Sequence, residues 1–448
     1  MKDLKIKDVL KKIDGYLVCG NENEVLDNFK IDSKNVKPND VFIGLRGTNT
    51  DGSLYYMDAF SKGAKGCIIN DIDNVTALDD KFIIVVKDTI KTLETLAILK
   101  RNMYEIPVIA VTGSYGKTST KDVIYSVLRK KYNVLKTEGN YNSNIGLSLT
   151  ILNLKDEEML VLEMGMSELG EISILSNIAR PTIGVITNVG TAHIGNLGSR
   201  ENILKAKLEI IDGLDGVLLI NNDNDLLNKW NNDNKFDYVK TIGINNNSNL
   251  IAKNVVVNET NIEFECDGNK YEITNGEKGY VYNALFSIYI GNLFNISYED
   301  IYDGIKNYNI TSGRNEIIKI NDYILINDCY NASLESVKGA INNLKRYKNR
   351  TIIVLGDLLE LGSFSKQIHK EIGIEIKNSD IDVVITVGEE TKVINDIIDN
   401  KNNAHFDNNK DAIDYLKNII KKGDVILVKA SNGMNFKEII ENLKIILK

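Results

Sequence analysis

Short apolar runs alternate with helix-like segments along most of the chain, and this alternation limits the available folds more than any other feature. Between residue 108 and about 220, strand-like runs occupy 108–112, 159–163, 183–187 and 217–221. The pattern restarts after Ser312-Gly313, with runs at 323–327, 351–355, 382–387 and 425–429. Strands that alternate with helices form parallel sheets with helices on both faces. The sequence therefore predicts two such sheets.

The length of 448 residues allows about three domains at roughly 150 residues each. We predict an α/β fold with a smaller N-terminal α/β domain at 1–105, a central doubly wound domain at 106–311 and a Rossmann-like C-terminal domain at 312–448. Residues 250–274 alternate apolar and polar side chains around Asp267-Gly268. This pattern predicts a β-hairpin extension on the central domain.

A glycine-rich turn follows the first run of the central segment and precedes an amphipathic helix. Such a strand, loop and helix unit points backbone N–H groups at phosphates, while a lysine neutralises charge and a hydroxyl ligates Mg²⁺. The motif is only partly matched, since Val111 stands where a strict Walker A loop has glycine, and an ordinary glycine turn is the alternative. We predict a P-loop-type nucleotide site formed by Gly113, Ser114, Tyr115, Gly116, Lys117, Thr118 and Ser119.

Two side chains follow the next strands of the same predicted sheet. Glu163 ends the run 159–163, and His193 comes shortly after the run 183–187. Because carboxyl ends of parallel strands meet at one edge, both are expected near the phosphate loop. Alone, each is more often a surface or structural residue. Thr118 and Glu163 are therefore candidate magnesium ligands, and His193 converges on the same site.

Lys207 has the most informative position of any single residue. Helical spacing puts it between Ile203 and Ile211 on an apolar stripe. Burial there would lower its pKa, and the neutral amine would then add CO₂ to form a carbamate, an oxygen ligand suited to Mg²⁺. The alternative is a lysine whose amine reaches the surface.

The composition argues against several other classes of protein. Lys and Arg number 54 and Asp and Glu 62, for a net charge of −8, which disfavours binding to nucleic acid or an anionic membrane. The four cysteines, Cys19, Cys67, Cys266 and Cys329, form no CxxC pair, so neither a zinc site nor a disulfide framework is indicated. No signal peptide and no membrane-spanning run is found. We therefore expect a cytoplasmic protein without membrane insertion.

The motifs Thr112-Gly-Ser-Tyr-Gly-Lys-Thr118, Glu163-Met-Gly, Ala192-His193 and Ala206-Lys207 resemble the central domain of the Mur ligases. These enzymes are ATP-dependent amide ligases of peptidoglycan precursor synthesis. The C-terminal motifs resemble the branch that adds D-alanyl-D-alanine to UDP-N-acetylmuramoyl-tripeptide: Ile326-Asn-Asp328-Cys-Tyr-Asn331-Ala-Ser333, Gly356–Gly362 with His369, and Lys429–Met434. The Asp-Asn-Pro-Arg motif of the diaminopimelate-adding branch is absent.

The resemblance implies a role for each matching residue. It implies ATP and Mg²⁺ as cofactors, Lys117, Glu163, His193 and Lys207 as catalytic or metal-holding residues, Asn283 at the adenine, and Arg314 and Asp328 at the phosphates and ribose. It also implies that segment 1–105 binds the UDP-sugar and segment 312–448 the amine. The substrate-binding residues so implied are Ser33, Gly47, Asn49, Asp51, Thr137, Asn140, Asn142, Asn144, Asn331, Ser333 and Lys429.

Two departures from the family pattern are visible. Gly279-Tyr280 stands where the family has His-Asn, and Asn432 replaces an arginine. The alternatives are a diaminopimelate-adding or folylpolyglutamate-synthase-like ligase, and a paralogue that binds nucleotide-sugar without turnover. We expect a monomer whose partners are UDP-MurNAc-tripeptide and D-Ala-D-Ala. The third residue of the tripeptide, the choice between D-Ala-D-Ala and D-Ala-D-Ser, and the general base stay open.

Overall fold

The computed structural model of the protein describes residues 3–72, 75–398 and 402–448, and these residues form four β-sheets. Each sheet lies within one of the three predicted segments. The boundaries at 105/106 and 311/312 stay a prediction. Both parallel sheets expected from the sequence are present, with further strands at their edges.

The N-terminal sheet has the strand order β1-β5-β4-β3-β2, in which only the β1–β5 pair is antiparallel. Its strands are β1 (Gly15–Cys19), β2 (Phe29–Lys30), β3 (Val41–Ile43), β4 (Gly66–Asn70) and β5 (Phe82–Val86). The helices of this segment are α1 (Ile6–Leu10), α2 (Tyr56–Ser61) and α3 (Thr89–Asn102).

The central sheet is parallel throughout, in the order β12-β11-β10-β9-β6-β8-β7. Its strands are β6 (Val108–Thr112), β7 (Val134–Lys136), β8 (Met159–Glu163), β9 (Ile183–Ile186), β10 (Val217–Asn221), β11 (Val239–Gly243) and β12 (Leu250–Ile251). Its helices are α4 (Lys117–Leu128), α5 (Asn144–Leu152), α6 (Glu171–Ala179), α7 (Ile194–Leu197), α8 (Arg200–Leu208) and α9 (Asp225–Asn234). Every residue of β6 and β8 is buried, because helices cover both faces of the sheet.

The predicted hairpin is a three-stranded antiparallel sheet instead. It consists of β13 (Lys253–Val257), β14 (Asn261–Cys266) and β15 (Asn269–Thr274), and is followed by the helices α10 (Tyr280–Leu293) and α11 (Tyr298–Lys306). The β14–β15 turn does lie at Asp267-Gly268, where both residues have positive φ, as a tight hairpin requires. The hairpin prediction was incomplete because β12, at 250–251, joins the central sheet.

The C-terminal sheet has the order β16-β17-β21-β18-β19-β20, with an antiparallel β16–β17 pair at one edge. Its strands are β16 (Glu316–Ile320), β17 (Tyr323–Asp328), β18 (Thr351–Gly356), β19 (Val383–Val387), β20 (Asn402–Phe406) and β21 (Val425–Lys429). Its helices are α12 (Leu334–Leu344), α13 (Ser365–Lys377), α14 (Lys392–Ile397), α15 (Asn409–Ile419) and α16 (Lys437–Ile446).

Helix α3 joins the N-terminal sheet to the central one. Its apolar face is buried against the core that also contains α5 and α6. Arg101 at its end is buried and donates to the carbonyl oxygens of Ala179 at 2.8 Å and Ile106 at 3.3 Å. Glu94 on the same helix accepts from the Asn144 amide at 2.8 Å. The first two segments are therefore connected by packing as well as by the chain.

The connection to the C-terminal sheet is a short turn. Thr311 Oγ1 donates to Asp122 Oδ2 at 2.6 Å, and this buried carboxylate also accepts from Lys136 at 2.8 Å. Gly313 follows with φ +80°, a conformation that glycine adopts without strain. Asp122 of the central segment thus fixes the start of this turn.

Candidate active site

One cavity of about 620 Å³ lies between the carboxyl ends of the central strands and the C-terminal sheet. Its volume is in the range of small-molecule sites. Most of the predicted site residues line it: Ser114, Tyr115, Gly116, Lys117, Thr118, Ser119, Asn140, Asn142, Asn144, Glu163, His193, Asn283, Arg314, Asp328, Asn331, Ser333 and Lys429. The structure therefore brings together side chains from two segments of the chain.

The glycine-rich loop is held against the end of β9. Gly113 has φ +151°, and a Cβ there would lie 1.9 Å from Thr187 Oγ1, so only glycine fits. The Tyr115 carbonyl accepts from Thr187 Oγ1 at 2.7 Å and from the Asn188 amide at 2.9 Å. Gly116, with φ +77°, precedes the first residue of α4. The N-terminus of α4 is thus free to face a phosphate group.

Lys117 Nζ donates to the Gly113 carbonyl oxygen at 2.8 Å, so its side chain folds back over the loop. Burial lowers the pKa of this amine, and the nearby Arg314 lowers it further, while Glu163 opposes both effects. An anionic group placed on the loop would offset this cost, because it would supply the missing negative charge.

Glu163 has one free oxygen at the end of β8. Its side chain is 2% exposed, and Oε1 accepts from Asn142 Nδ2 at 3.1 Å. Oε2 is buried without a hydrogen-bond partner among the described residues, 3.9 Å from Lys121 Nζ. A buried oxygen without a partner fits a cation ligand. No group of three or more His, Cys, Asp or Glu side chains able to hold a metal occurs in 3–72, 75–398 or 402–448.

Lys207 is buried, as its position on the apolar stripe predicts. Its side chain is 2% exposed, and the part of the chain that the structure describes offers its amine no hydrogen bond or ion pair. Burial, with the positive Lys117 nearby, holds the pKa of Lys207 well below its usual value. A lowered pKa favours the neutral amine, which is the form that reacts with CO₂.

His193 meets the C-terminal sheet across the cavity. Its Nδ1 lies 2.6 Å from Glu360 Oε2. Burial lowers the pKa of His193, whereas the Glu360 carboxylate raises it; the nearby Lys117 and Lys207 lower it further. Next to it, Gly195 N donates to the Glu360 carbonyl at 3.1 Å. A Cβ at Gly195 would lie 2.6 Å from that oxygen, so the two backbones touch.

The predicted nucleotide residues lie around the start of α10. Asn283 Oδ1 accepts from Thr120 Oγ1 at 2.8 Å. Arg314 reaches from the C-terminal segment and donates to Thr118 Oγ1 at 3.1 Å. Asp328 accepts from Lys429 and from the Asn315 backbone. Within the described residues, the Asn283 side-chain N–H groups and the Arg314 Nε have no hydrogen-bond partner.

The family resemblance implies Thr137 as a substrate-binding residue, together with the asparagines of the same loop. It is fully buried and is absent from the cavity wall. Its hydroxyl accepts from the Glu163 backbone N–H at 3.0 Å, and its carbonyl accepts from Lys121 at 2.8 Å. Thr137 therefore orients the end of β8.

Two predicted amine-site residues are already engaged by neighbours. Ser333 is the N-cap of α12, where its hydroxyl and that of Ser336 bond reciprocally to backbone N–H groups. Lys429 is buried and donates to Asp328 and to the Asn331 carbonyl. Both line the cavity, yet the charge of Lys429 is neutralised inside the protein.

The N-terminal candidates form a separate surface that does not reach the cavity. Asp51 accepts from Arg46 Nε at 3.0 Å and from the Ser53 backbone N–H at 2.9 Å. Ser33 is buried beside α2, and its carbonyl accepts from Lys62 at 3.2 Å. Gly47 and Asn49 lie exposed in the turn before Asp51.

Several cavity residues were not assigned by the sequence reasoning, and three of them carry chemistry or order the site: Glu277, Tyr330 and Glu360. Burial and the neighbouring Asp328 raise the pKa of Glu277 to about 7. Tyr330 stacks on Arg314. The motifs around residues 328 and 360 were recognised. No local pattern shows which of their side chains face a cavity whose other walls come from distant parts of the sequence.

A phosphate loop, a buried carboxylate and a second α/β unit facing one cavity define a nucleotide-dependent ligase of the Mur type. A family model described as "Mur ligase middle domain" matches residues 111–291, and one described as "Mur ligase, glutamate ligase domain" matches 313–432. The UDP-N-acetylmuramoyl-tripeptide–D-alanyl-D-alanine ligase of Bacillus subtilis is 37% identical, over 98% of both chains.

Solved structures agree with this assignment. A MurF crystal structure from Acinetobacter baumannii superposes with a TM-score of 0.91 at 25% identity, covering 99% of both chains. MurF from Thermotoga maritima in complex with ADP gives 0.83 at 29% identity, covering 94% of this chain and 98% of that one. The chain belongs to the MurF branch of the Mur ligase family. In the part that the structure describes, no helix has the length and apolarity needed to span a bilayer.

Proposed function

We propose that the protein adds D-alanyl-D-alanine to UDP-MurNAc-tripeptide, with ATP converted to ADP and phosphate. The observation that carries this proposal is the single cavity shared by the phosphate loop and the C-terminal residues. Full-length similarity to ligases named for this reaction supports it over the diaminopimelate-adding and folylpolyglutamate alternatives.

A carboxylate is a poor acyl donor, so its activation comes first. A carboxylate oxygen of the tripeptide attacks the γ-phosphorus of ATP, the bond to the ADP oxygen breaks, and an acyl phosphate forms. Lys117, Arg314 and the N-terminus of α4 stabilise the charge that spreads over the transferred group. The dipeptide amine then attacks the acyl carbon, phosphate leaves, and the amine loses a proton.

Magnesium fits the site as a cofactor bound with the nucleotide. Glu163, through its free Oε2, Thr118 and His193 would hold it together with phosphate oxygens and water. When bound, the ion would neutralise phosphate charge. Asn142 and Thr137 orient Glu163 through the hydrogen bonds described above.

Lys207 is proposed to be a carbamate in the active enzyme. The neutral amine adds to CO₂, an N–C bond forms, and one proton is released to solvent. The low pKa of Lys207 and the lack of a partner for its amine support this reaction. The product would supply an additional oxygen donor near Lys117 and His193.

The C-terminal segment is proposed to bind the dipeptide through Asn331 and the residues around it. Asn432 stands where the family has arginine, so we expect a weak hold on the terminal carboxylate and a high KM for the dipeptide. Ser33, Gly47, Asn49 and Asp51 are proposed for the UDP-sugar, and Asn140, Asn142 and Asn144 for the muramoyl-peptide. We further propose a cytoplasmic monomer.

Phosphate release tests the reaction directly. The complete mixture of ATP, Mg²⁺, UDP-MurNAc-tripeptide and D-Ala-D-Ala is compared with mixtures that omit each component. Product formation is then compared for D-Ala-D-Ala, D-Ala-D-Ser, D-Ala, L-Lys and diaminopimelate. A dipeptide site leaves buried polar groups unpaired when it holds a single amino acid, so dipeptides should be preferred. Preference for any single amino acid would contradict the proposal.

A further inference from the structure

Arg314 crosses from the C-terminal segment to the phosphate loop on a long, flexible side chain. Its Nη2 donates to Thr118 Oγ1 at 3.1 Å. Ordering such a side chain costs rotamer entropy, so a single hydrogen bond holds it only weakly. A second contact must fix the plane of the guanidinium.

Tyr330 supplies that contact. The guanidinium carbon lies 3.8 Å from the centre of the Tyr330 ring, the distance of a close stack. The backbone reinforces the arrangement, because Tyr330 N donates to the Gly313 carbonyl at 3.1 Å. Gly313, directly before Arg314, would have a Cβ 3.3 Å from Tyr330 Cβ. The turn that carries the arginine is therefore held against the residue that supports it.

The group that packs on the Arg314 guanidinium decides whether its positive charge stays available to a phosphate. Within 3–72, 75–398 and 402–448, no carboxylate forms an ion pair with Arg314, and its Nε is buried without a hydrogen-bond partner. The nearby Asp328 is paired with Lys429 instead. A carboxylate would compete with phosphate for the guanidinium, whereas an aromatic face orients it and leaves its hydrogen-bond donors free.

We propose that Tyr330 is a positioning residue that aims the Arg314 guanidinium at the terminal phosphates of the bound nucleotide, through the face of its ring. This inference rests on the proposed ATP site. The Tyr330 hydroxyl makes no hydrogen bond in the part of the chain that the structure describes, so the ring alone carries the effect.

The test compares binding of a non-hydrolysable ATP analogue and of AMP by calorimetry. The variants are Tyr330→Phe, Tyr330→Leu, Arg314→Ala and the double variant Arg314→Ala/Tyr330→Leu. Tyr323→Leu is the matched control, since it makes the same change at the first residue of β17, outside the cavity wall. Thermal melting confirms that each variant is folded.

We expect Tyr330→Leu to weaken binding of the analogue about 5- to 30-fold, with AMP binding unchanged. Tyr330→Phe and Tyr323→Leu should bind like the wild type, and the double variant should bind like Arg314→Ala. Equal losses for both ligands, a loss in Tyr330→Phe, or additive losses in the double variant would overturn the proposal. Failure of the wild type to bind the analogue would instead contradict the proposed function.

Discussion

Replacing Glu277 by glutamine should stabilise the protein above neutral pH. The carboxyl group of Glu277 lines the cavity and is half-buried. Burial and the charge of Asp328 raise its pKa from 4.5 to about 7, although Lys429 and Arg346 act in the opposite direction. Glutamine keeps the shape of the side chain and removes the charge.

The sign follows from the protons bound by each state. With the folded pKa above the unfolded one, the folded protein holds an extra proton between about pH 4.5 and 7. The stability contributed by the protonated form is complete below pH 4.5 and is lost as pH rises through 7. The full shift corresponds to about 3 kcal/mol. Because the carboxyl group is open to the cavity, solvent screening reduces the expected effect to about 1–2 kcal/mol.

Melting temperatures measured from about pH 5 to pH 8 provide the assay. At the upper end Glu277→Gln should melt about 2–8 °C above the wild type, with the difference closing toward acid pH. The exposed Glu389 on the C-terminal segment gives the matched control Glu389→Gln, which should follow the wild type. A difference that stays constant with pH, or a less stable glutamine variant at pH 8, would show that the Glu277 charge is not the cause.

Three further predictions concern turnover. Lys117→Ala should lower the rate more than tenfold without changing the melting temperature, because within the described residues its amine bonds only to loop carbonyls. A residual rate above a tenth of the wild type would contradict the phosphate-loop assignment. Lys207→Ala should be nearly inactive and partly rescued by a short carboxylic acid in the buffer, and an active variant without rescue would contradict the carbamate. Gly195→Ala should reduce turnover while leaving AMP binding intact, since its Cβ would lie 2.6 Å from the Glu360 carbonyl oxygen and separate the two backbones. An unchanged kcat would show that this contact is dispensable.

The buried strands were predicted from the sequence almost to the residue. Strands β6, β8, β10 and β21 have the expected bounds because helices cover both of their faces and favour continuous apolar runs. The edge strands β1, β16 and β20 were missed, since an edge strand with one solvent-facing side mixes polar and apolar residues. Edge strands also depend on pairing partners distant in sequence, which no local pattern shows.

The residues of the candidate site likewise divide into those that the sequence could predict and those that it could not. The burial of Lys207 was predictable because helical spacing alone sets which face a residue occupies. The positions of Thr137 and Ser333 were not, because each hydroxyl serves a backbone N–H that only the folded chain brings close. Glu360 has φ +63° and reaches His193 from another segment, a pairing that depends on both folds and on how they meet.

The packing of α3 bears on which peptide lengths the protein accepts in its donor substrate. Arg101 and Glu94 tie the N-terminal sheet to the central one, while the C-terminal sheet follows a single glycine turn. Apart from contacts across the cavity, the C-terminal segment is joined at one turn near Gly313, so we expect relative motion there and a constant span from the proposed UDP-sugar surface to the phosphate loop. A fixed distance of this kind selects donors by the length of their peptide. A donor whose peptide is too short would anchor its nucleotide yet leave its carboxylate out of reach of ATP.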